Sequence, residues 1–286
     1  MEPEGVESSF FFESELVRVG RYRCAPWSIA WRIEKEIESG PLMVFPSRAV
    51  RIQQADREPV VANANGVVFH NLAVPYRRWL IDDRGEDSVY VAMKPGLFAS
   101  IVAEMDPAGA ENPDRPFTFT HAPVGGRAFL AQRRIARRLL RGERVDTLEV
   151  EETMLALAHS LCRSAMALRG QRPEAARVGT RAAHRELVRA GEDDLARRFR
   201  ERVTLTDLAK RVHSSPYHLA RVFRTHTGRS VHEYIKGLRL RAGLVELEQG
   251  RRLSDLGLSL GFSSHAHFTT AFKREFGVAP SMERAG

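Results

Sequence analysis

Residues 260–277 read LGFSSHAHFTTAFKREFG, and a looser copy, VHSSPYHLARVFRTHTG, has already passed at 212–228. With one extra residue in the second copy, Leu205 aligns with Leu253, Asp207 with Asp255, Leu208 with Leu256, and Ser214 and Ser215 with Ser263 and Ser264. His218 then aligns with His267, Leu219 with Phe268, Phe223 with Phe272, Arg224 with Lys273 and Gly228 with Gly277. A register this regular marks the duplication of one supersecondary unit.

Each copy reads as helix, turn, helix. Thr204, with Asp207 three residues on, makes a capping-box start for a short helix that carries Leu205, Leu208 and Val212 inward. The small residues Ala209 and Gly257 suit a close approach of that helix to the next. Ser215 before Pro216 is an N-cap with proline at the first helical position, and Ser264 is the matching cap. On the second helix Leu219, Val222 and Phe223 recur at helical spacing and face the core, as do Phe268, Ala271 and Phe272. That leaves Tyr217, His218, Arg221, Arg224 and Thr225 outside, and His265, Thr269, Thr270 and Lys273 in the second copy. Donors, acceptors and cations on one helix face fit the base edges and phosphates of a major groove. One such helix would read as an ordinary solvated face; two in one basic segment favour DNA.

Charge supports this. Of 44 Lys and Arg and 36 Asp and Glu, residues 181–286 hold 20 and 12, so the whole formal excess of +8 lies in that last third. Such asymmetry is the footprint of a polyanionic partner. Between the copies, Ser230 and Glu233 form a capping box, and Val231, Tyr234, Ile235, Leu238, Ala242 and Val245 make one apolar stripe, with Leu240, Leu244 and Leu247 on a second face. A helix apolar on two sides, over about 230–249, should be gripped by both units. The two reading helices would then enter successive major grooves, about 34 Å apart.

These segments resemble the DNA-binding domain of AraC/XylS-type transcriptional regulators. The likeness runs through LTDLAKRVHSSPYHLARVFRTHTG, VHEYIKGLRLRAGL and LGLSLGFSSHAHFTTAFKREFGVAP. It implies base contacts from Tyr217, Ala220 and Arg221 in the first unit and from His265, Ala266, His267 and Thr270 in the second. Reading the outward faces adds His218 and Thr269 as base contacts, and Ser215, Arg224, Ser264 and Lys273 as phosphate contacts. Two positions depart from the family pattern: Gly257 replaces the usual Ala, and Glu283 stands where an aromatic precedes the closing Arg284. The resemblance also implies double-stranded DNA and RNA polymerase as partners, with the sign of regulation left open.

The rest of the chain reads differently. From about residue 10 to 122 short apolar runs dominate, at Leu42 to Phe45, Val67 to Phe69, Trp79 to Ile81, Val89 to Met93 and Phe117 to Phe119, separated by turn formers. In Trp27 to Ile33 large apolar residues alternate, which places Trp27, Ile29, Trp31 and Ile33 on one face of a strand. Helical periodicity returns over 127–169, in two helices. The expected fold is therefore α+β: a β-rich, cupin-like sandwich or barrel followed by helices (1–170), a linker at 171–180, and an all-α domain (181–286) with helix-turn-helix units at about 204–228 and 253–277. Members of the resembled family often use the first domain to bind a small effector or to form a homodimer; Trp27, Trp31 and Trp79 are candidates to line an effector pocket.

Catalysis is not expected. Residues 1–170 hold only His70, His121 and His159, too few for a metal-dependent cupin. Cys24 has cationic neighbours but no identifiable base, and two cysteines without CxxC spacing make neither a disulfide framework nor a zinc site. His265 and His267, two apart on a helix, diverge by about 200° around the axis and cannot readily share one ion. No cofactor is implied. The acidic start and the absence of any long apolar run point to a cytoplasmic protein with no membrane partner. Two alternatives stand: a sequence-tolerant DNA architectural protein, and a cupin-like enzyme tethered to DNA.

Overall fold

The computed structural model describes residues 3–107, 111–170 and 178–283. They fall into two compact units, Met1–Val124 with Ala128–Gly170, and Gly125–Arg127 with Gln171–Gly286.

The first unit is a β sandwich. Strands β1 (Val6–Glu13), β2 (Val17–Cys24), β3 (Leu42–Pro46), β6 (Gly66–His70), β8 (Glu86–Met93) and β9 (His121–Pro123) form one antiparallel sheet in the order β1-β2-β8-β3-β6-β9. Strands β4 (Val50–Gln54), β5 (Val60–Ala62) and β7 (Tyr76–Leu80) form the second, ordered β5-β4-β7. Side chains alternate across each strand, so Leu42, Val44, Val68 and Ala92 of the large sheet meet Val50, Ile52 and Ala62 of the small one in a shared core. Odd-numbered Met43, Phe69, Val89 and Val91 are buried on the opposite face. There α1 (Leu97–Ala103) and α3 (Thr147–Gly170) lie close together, and α3 also lies against β9 and β2. Helix α2 (Gly126–Leu140) precedes α3.

Two expected strands are absent. Residues Ile29–Arg32 form a 3-10 turn. Its cause is local: the Ser28 hydroxyl accepts from the Ala30 N–H and donates to the Glu4 carbonyl, and the Trp31 indole N–H donates to the Ala25 carbonyl. Such side-chain bonds compete with strand pairing. The alternation is lost with it, since Ala30 is buried while Trp27 and Ile29 are 66% and 61% exposed. Phe117 to Phe119 is irregular too, because Asn71 supplies the bonds that a neighbouring strand would: its amide donates to the Phe117 carbonyl and its oxygen accepts from the Phe117 N–H. Both phenylalanines still pack, with ring centroids 5.0 and 4.9 Å from Phe69.

The second unit repeats itself in structure as in sequence. Helix α4 (Val178–Arg198) leads to α5 (Leu205–Arg211) and α6 (Pro216–Thr227), then α7 (Val231–Glu248), α8 (Leu253–Ser259) and α9 (His265–Phe276). Both short helices have 7 residues and both reading helices 12. Ser215 and Ser264 cap α6 and α9 by accepting from the N–H groups of His218 and His267. Gly228 and Gly277 end them in the left-handed conformation, at φ +70° and +82°. Of the expected linker, residues 171–177 lie outside the described residues, and Val178–Thr180 begin α4. Arg284 also lies outside them.

Helix α7 is the shared wall. Tyr234, Ile235 and Leu238 join Val188 and Leu195 of α4, Leu208 and Ala209 of α5, and Leu219, Val222 and Phe223 of α6 in one core. Leu240, Leu244 and Leu247 are fully buried. At Gly243 the helix backbone comes so close to the second copy that a Cβ would lie 2.9 Å from Phe268 Cε2 and 3.0 Å from Leu260 Cδ1. Gly257 has a similar cause: a Cβ there would meet the His265 Cα at 3.1 Å, at the start of α9.

Candidate nucleic-acid interface

Because the apolar face of α6 is fixed against α4, α5 and α7, its other face is fixed outward. Tyr217 is 80% exposed, and Ser215, Arg221, Arg224 and Thr225 are exposed beside it. Tyr217, Arg221 and Arg224 follow at four and three residues, so they lie on one stripe of the helix. In α9 the exposed set is His265, Ala266, His267, Thr270, Lys273 and Arg274, with Ser264 exposed at its cap. Thr270 occupies the place of Arg221, and Lys273 that of Arg224, in the duplicated register.

Three side chains depart from the expected outward arrangement, and a fourth, His267, faces out but is engaged by its neighbours. Ala220 is only partly exposed. His218 is half-buried, its ring 5.3 Å from that of His184 on α4. Thr269 is likewise half-buried and its Oγ1 is shielded from solvent, with no partner among the described residues, so the hydroxyl does not face out. His267 is exposed, but its Nδ1 lies 3.0 Å from the Ser263 hydroxyl and its ring stands edge-on to Phe262 at 5.4 Å. These positions flank the apolar stripe, where one helix turn cannot tell inward from outward. His184 lies 6.0 Å from His226 as well, and desolvation, then the nearby His218, His226 and Arg221, hold its pKa below the ordinary imidazole value.

The three tryptophans of the first unit sit in different surroundings. Trp27 is exposed and lies over Gly5. On β7, Trp79 (38% exposed) points away from the sandwich while its neighbour Arg78 points in, as strand alternation requires. Only Trp31 reaches the interior, with the Arg78 guanidinium 5.4 Å from its ring.

What sequence reading missed there is polar. Arg78 and Glu86 are 3% and 4% exposed and joined at 2.5 Å, with the guanidinium also 4.8 Å from the Tyr22 ring and 5.9 Å from that of Tyr76. Lys35 Nζ lies 3.3 Å from the Tyr22 hydroxyl. His70, buried beside Gln54 and Tyr76, has its pKa lowered to about 3 by desolvation and by the charge of Arg78. Burial, only partly offset by Arg78, raises the Cys24 thiol above its usual value, the reverse of what an activated nucleophile needs. Among the described residues no three or more His, Cys, Asp or Glu are grouped to hold a metal ion, and no helix is long and apolar enough to cross a membrane.

A duplicated helix-turn-helix on a shared helix, with cationic and hydrogen-bonding faces outward, defines a DNA-reading protein. The helix-turn-helix domain family matches residues 208–286. Regulatory protein SoxS of Salmonella typhimurium is 30% identical over 102 residues, which are 35% of this chain and 95% of SoxS. On these matches the chain belongs to the AraC/XylS-type family of transcriptional regulators. The bifunctional transcriptional activator/DNA repair enzyme AdaA of Bacillus subtilis is 34% identical over 87 residues, 30% of this chain and 41% of AdaA, so the match spans less than half of that relative. A transcriptional regulator from Chromobacterium violaceum with an AraC-type DNA-binding domain is 28% identical in its crystal structure, covering 38% of this chain and 94% of its own, with a TM-score of 0.33.

Proposed function

We propose that the chain is a sequence-specific transcriptional regulator whose α6 and α9 read two neighbouring stretches of one duplex. The observation that carries this is the matched pair of 12-residue helices, each capped by an exposed serine and each presenting exposed hydrogen-bonding and cationic side chains. Tyr217, Arg221, His265, Ala266 and Thr270 are the base-reading set, with Arg221 suited to the two acceptors of a guanine. Arg224 and Lys273 take phosphates. Ser215 and Ser264 use their oxygens to accept from the helix, which leaves each hydroxyl hydrogen to donate to a phosphate oxygen. His218, Ala220, His267 and Thr269 serve the packing of the reading helices more than base recognition.

Paired variants test the division of labour. Arg221→Ala should lose about 1–3 kcal/mol at one base position, while Lys273→Ala should weaken all sequences alike and flatten the salt dependence by about one unit of slope. Equal losses on every sequence for both variants would defeat the assignment.

A small effector is the natural input for the β unit, and its place is the inward cluster of Tyr22, Trp31, Tyr76 and Arg78 rather than the three tryptophans. The partly exposed aromatic rings around a buried charge support that reading. RNA polymerase and a second copy of the chain complete the partners that the family implies.

A further inference from the structure

Arg239 stands on α7, half-buried between the two helix-turn-helix units, and among the described residues its guanidinium has no carboxylate as a hydrogen-bond acceptor. All three of its nitrogens donate to backbone carbonyls: Nε to Phe199 at 2.6 Å, Nη2 to Glu201 at 2.7 Å and Nη1 to Gly261 at 2.7 Å. Phe199 and Glu201 lie between α4 and α5, at the entrance to the first unit; Gly261 lies in the turn between α8 and α9 of the second. One planar, rigid fork therefore ties both units to the helix between them.

The second turn is shaped to receive it. Gly261 is left-handed at φ +79°, and a Cβ there would fall 2.8 Å from the guanidinium carbon of Arg239 and 3.0 Å from the Arg200 carbonyl. The same place in the first copy is held by His213, at φ +53° and with a side chain. The two turns are otherwise closed alike, by Ser214 N–H to Ala209 and by Phe262 N–H to Gly257. The duplicated units thus differ where one of them meets Arg239. A second tie reinforces the first segment: Glu246 near the end of α7 accepts from Arg200 and from Arg251. Desolvation lowers the Arg239 pKa, as expected for a cation held by dipoles rather than by an opposite charge.

We propose that Arg239 is the positioning residue that sets the separation and angle of the two reading helices, and so the spacing of base-pair blocks that the chain accepts. The inference rests on the reading that both units contact DNA, but its structural half stands without DNA. Lysine is no substitute, because one ammonium on a flexible stem cannot hold three diverging carbonyls on two segments.

Spin labels on Tyr217→Cys and Ala266→Cys, in a full-length Cys24→Ala/Cys162→Ala background, give the distance between α6 and α9. With Arg239 the distribution should be narrow. Arg239→Met should broaden or shift it while far-UV ellipticity stays within about a tenth of its original value, and Arg239→Lys should fall between. On a duplex selected by the unaltered chain, Arg239→Met should keep binding to either half alone within about twofold, lose about tenfold on the intact site, and lose discrimination against a one-base-pair insertion between the halves. An unchanged distance distribution overturns the proposal. So does equal loss on half and intact sites with spacing discrimination preserved, which is the signature of a merely weakened fold. If the unaltered chain selects only one block of bases, the two-unit reading of DNA fails, and the spin-label result still decides whether Arg239 fixes the helices.

Discussion

Gly243→Ala sets helix propensity against packing. In an exposed helix interior the change gains about 1 kcal/mol. At Gly243 the new methyl would lie 2.9 and 3.0 Å from two ring carbons of Phe268 and 3.0 Å from Leu260 Cδ1, and both side chains are fully buried. Phe268 cannot swing away, since its ring is held at 5.3 Å from Phe262 and 5.6 Å from Phe272. Overpacking of this sort costs about 1–3 kcal/mol, so packing wins and a net loss of about 1 kcal/mol is expected. Urea unfolding followed by far-UV ellipticity reads it, because all three tryptophans lie in the β unit and fluorescence would report the wrong domain. Adding Phe268→Leu should relieve the clash, so a double-mutant cycle should show favourable coupling of about 1 kcal/mol. A Gly243→Ala chain more stable than its parent would refute the close approach of α7 to α9.

Two further outcomes follow from buried polar groups. Desolvation raises the Glu192 carboxyl from 4.5 to about 8, despite a hydrogen bond from Tyr234. The folded chain thus keeps a proton that the unfolded chain gives up, and stability should fall by about 1.4 kcal/mol per pH unit between roughly pH 4.5 and 8. Glu192→Gln should match its parent near pH 5 and exceed it near pH 8; parallel stability curves would contradict this. In the β unit, a small molecule that raises the melting temperature should also change Trp31 fluorescence and lose its effect in Tyr76→Leu, whereas a stabiliser indifferent to both would place the effector elsewhere.

The reading helices were legible because every local signal agreed: capping serines, a terminal glycine, an apolar stripe and a second copy to check against. The β unit was less so. Strand β2 buries Val17 and Val19 but also carries Arg21, which is neutralised by Asp87 across the sheet, and β1 is an exposed edge strand with little apolar pattern. The buried pairing of Arg78 with Glu86 joins two strands only after folding, and its charges read as surface in the sequence. Arg239 left still less trace, since its partners are backbone carbonyls, which any residue supplies. The Trp27 to Ile33 alternation misled because Ser28 bonds locally.

The central claim is that two rigidly coupled heads read one duplex, and selection of bound sequences from a random pool tests it most directly. The account predicts two conserved blocks whose centres lie about 10 base pairs apart, one helical turn. A single block, or no enrichment over the starting pool, would contradict it.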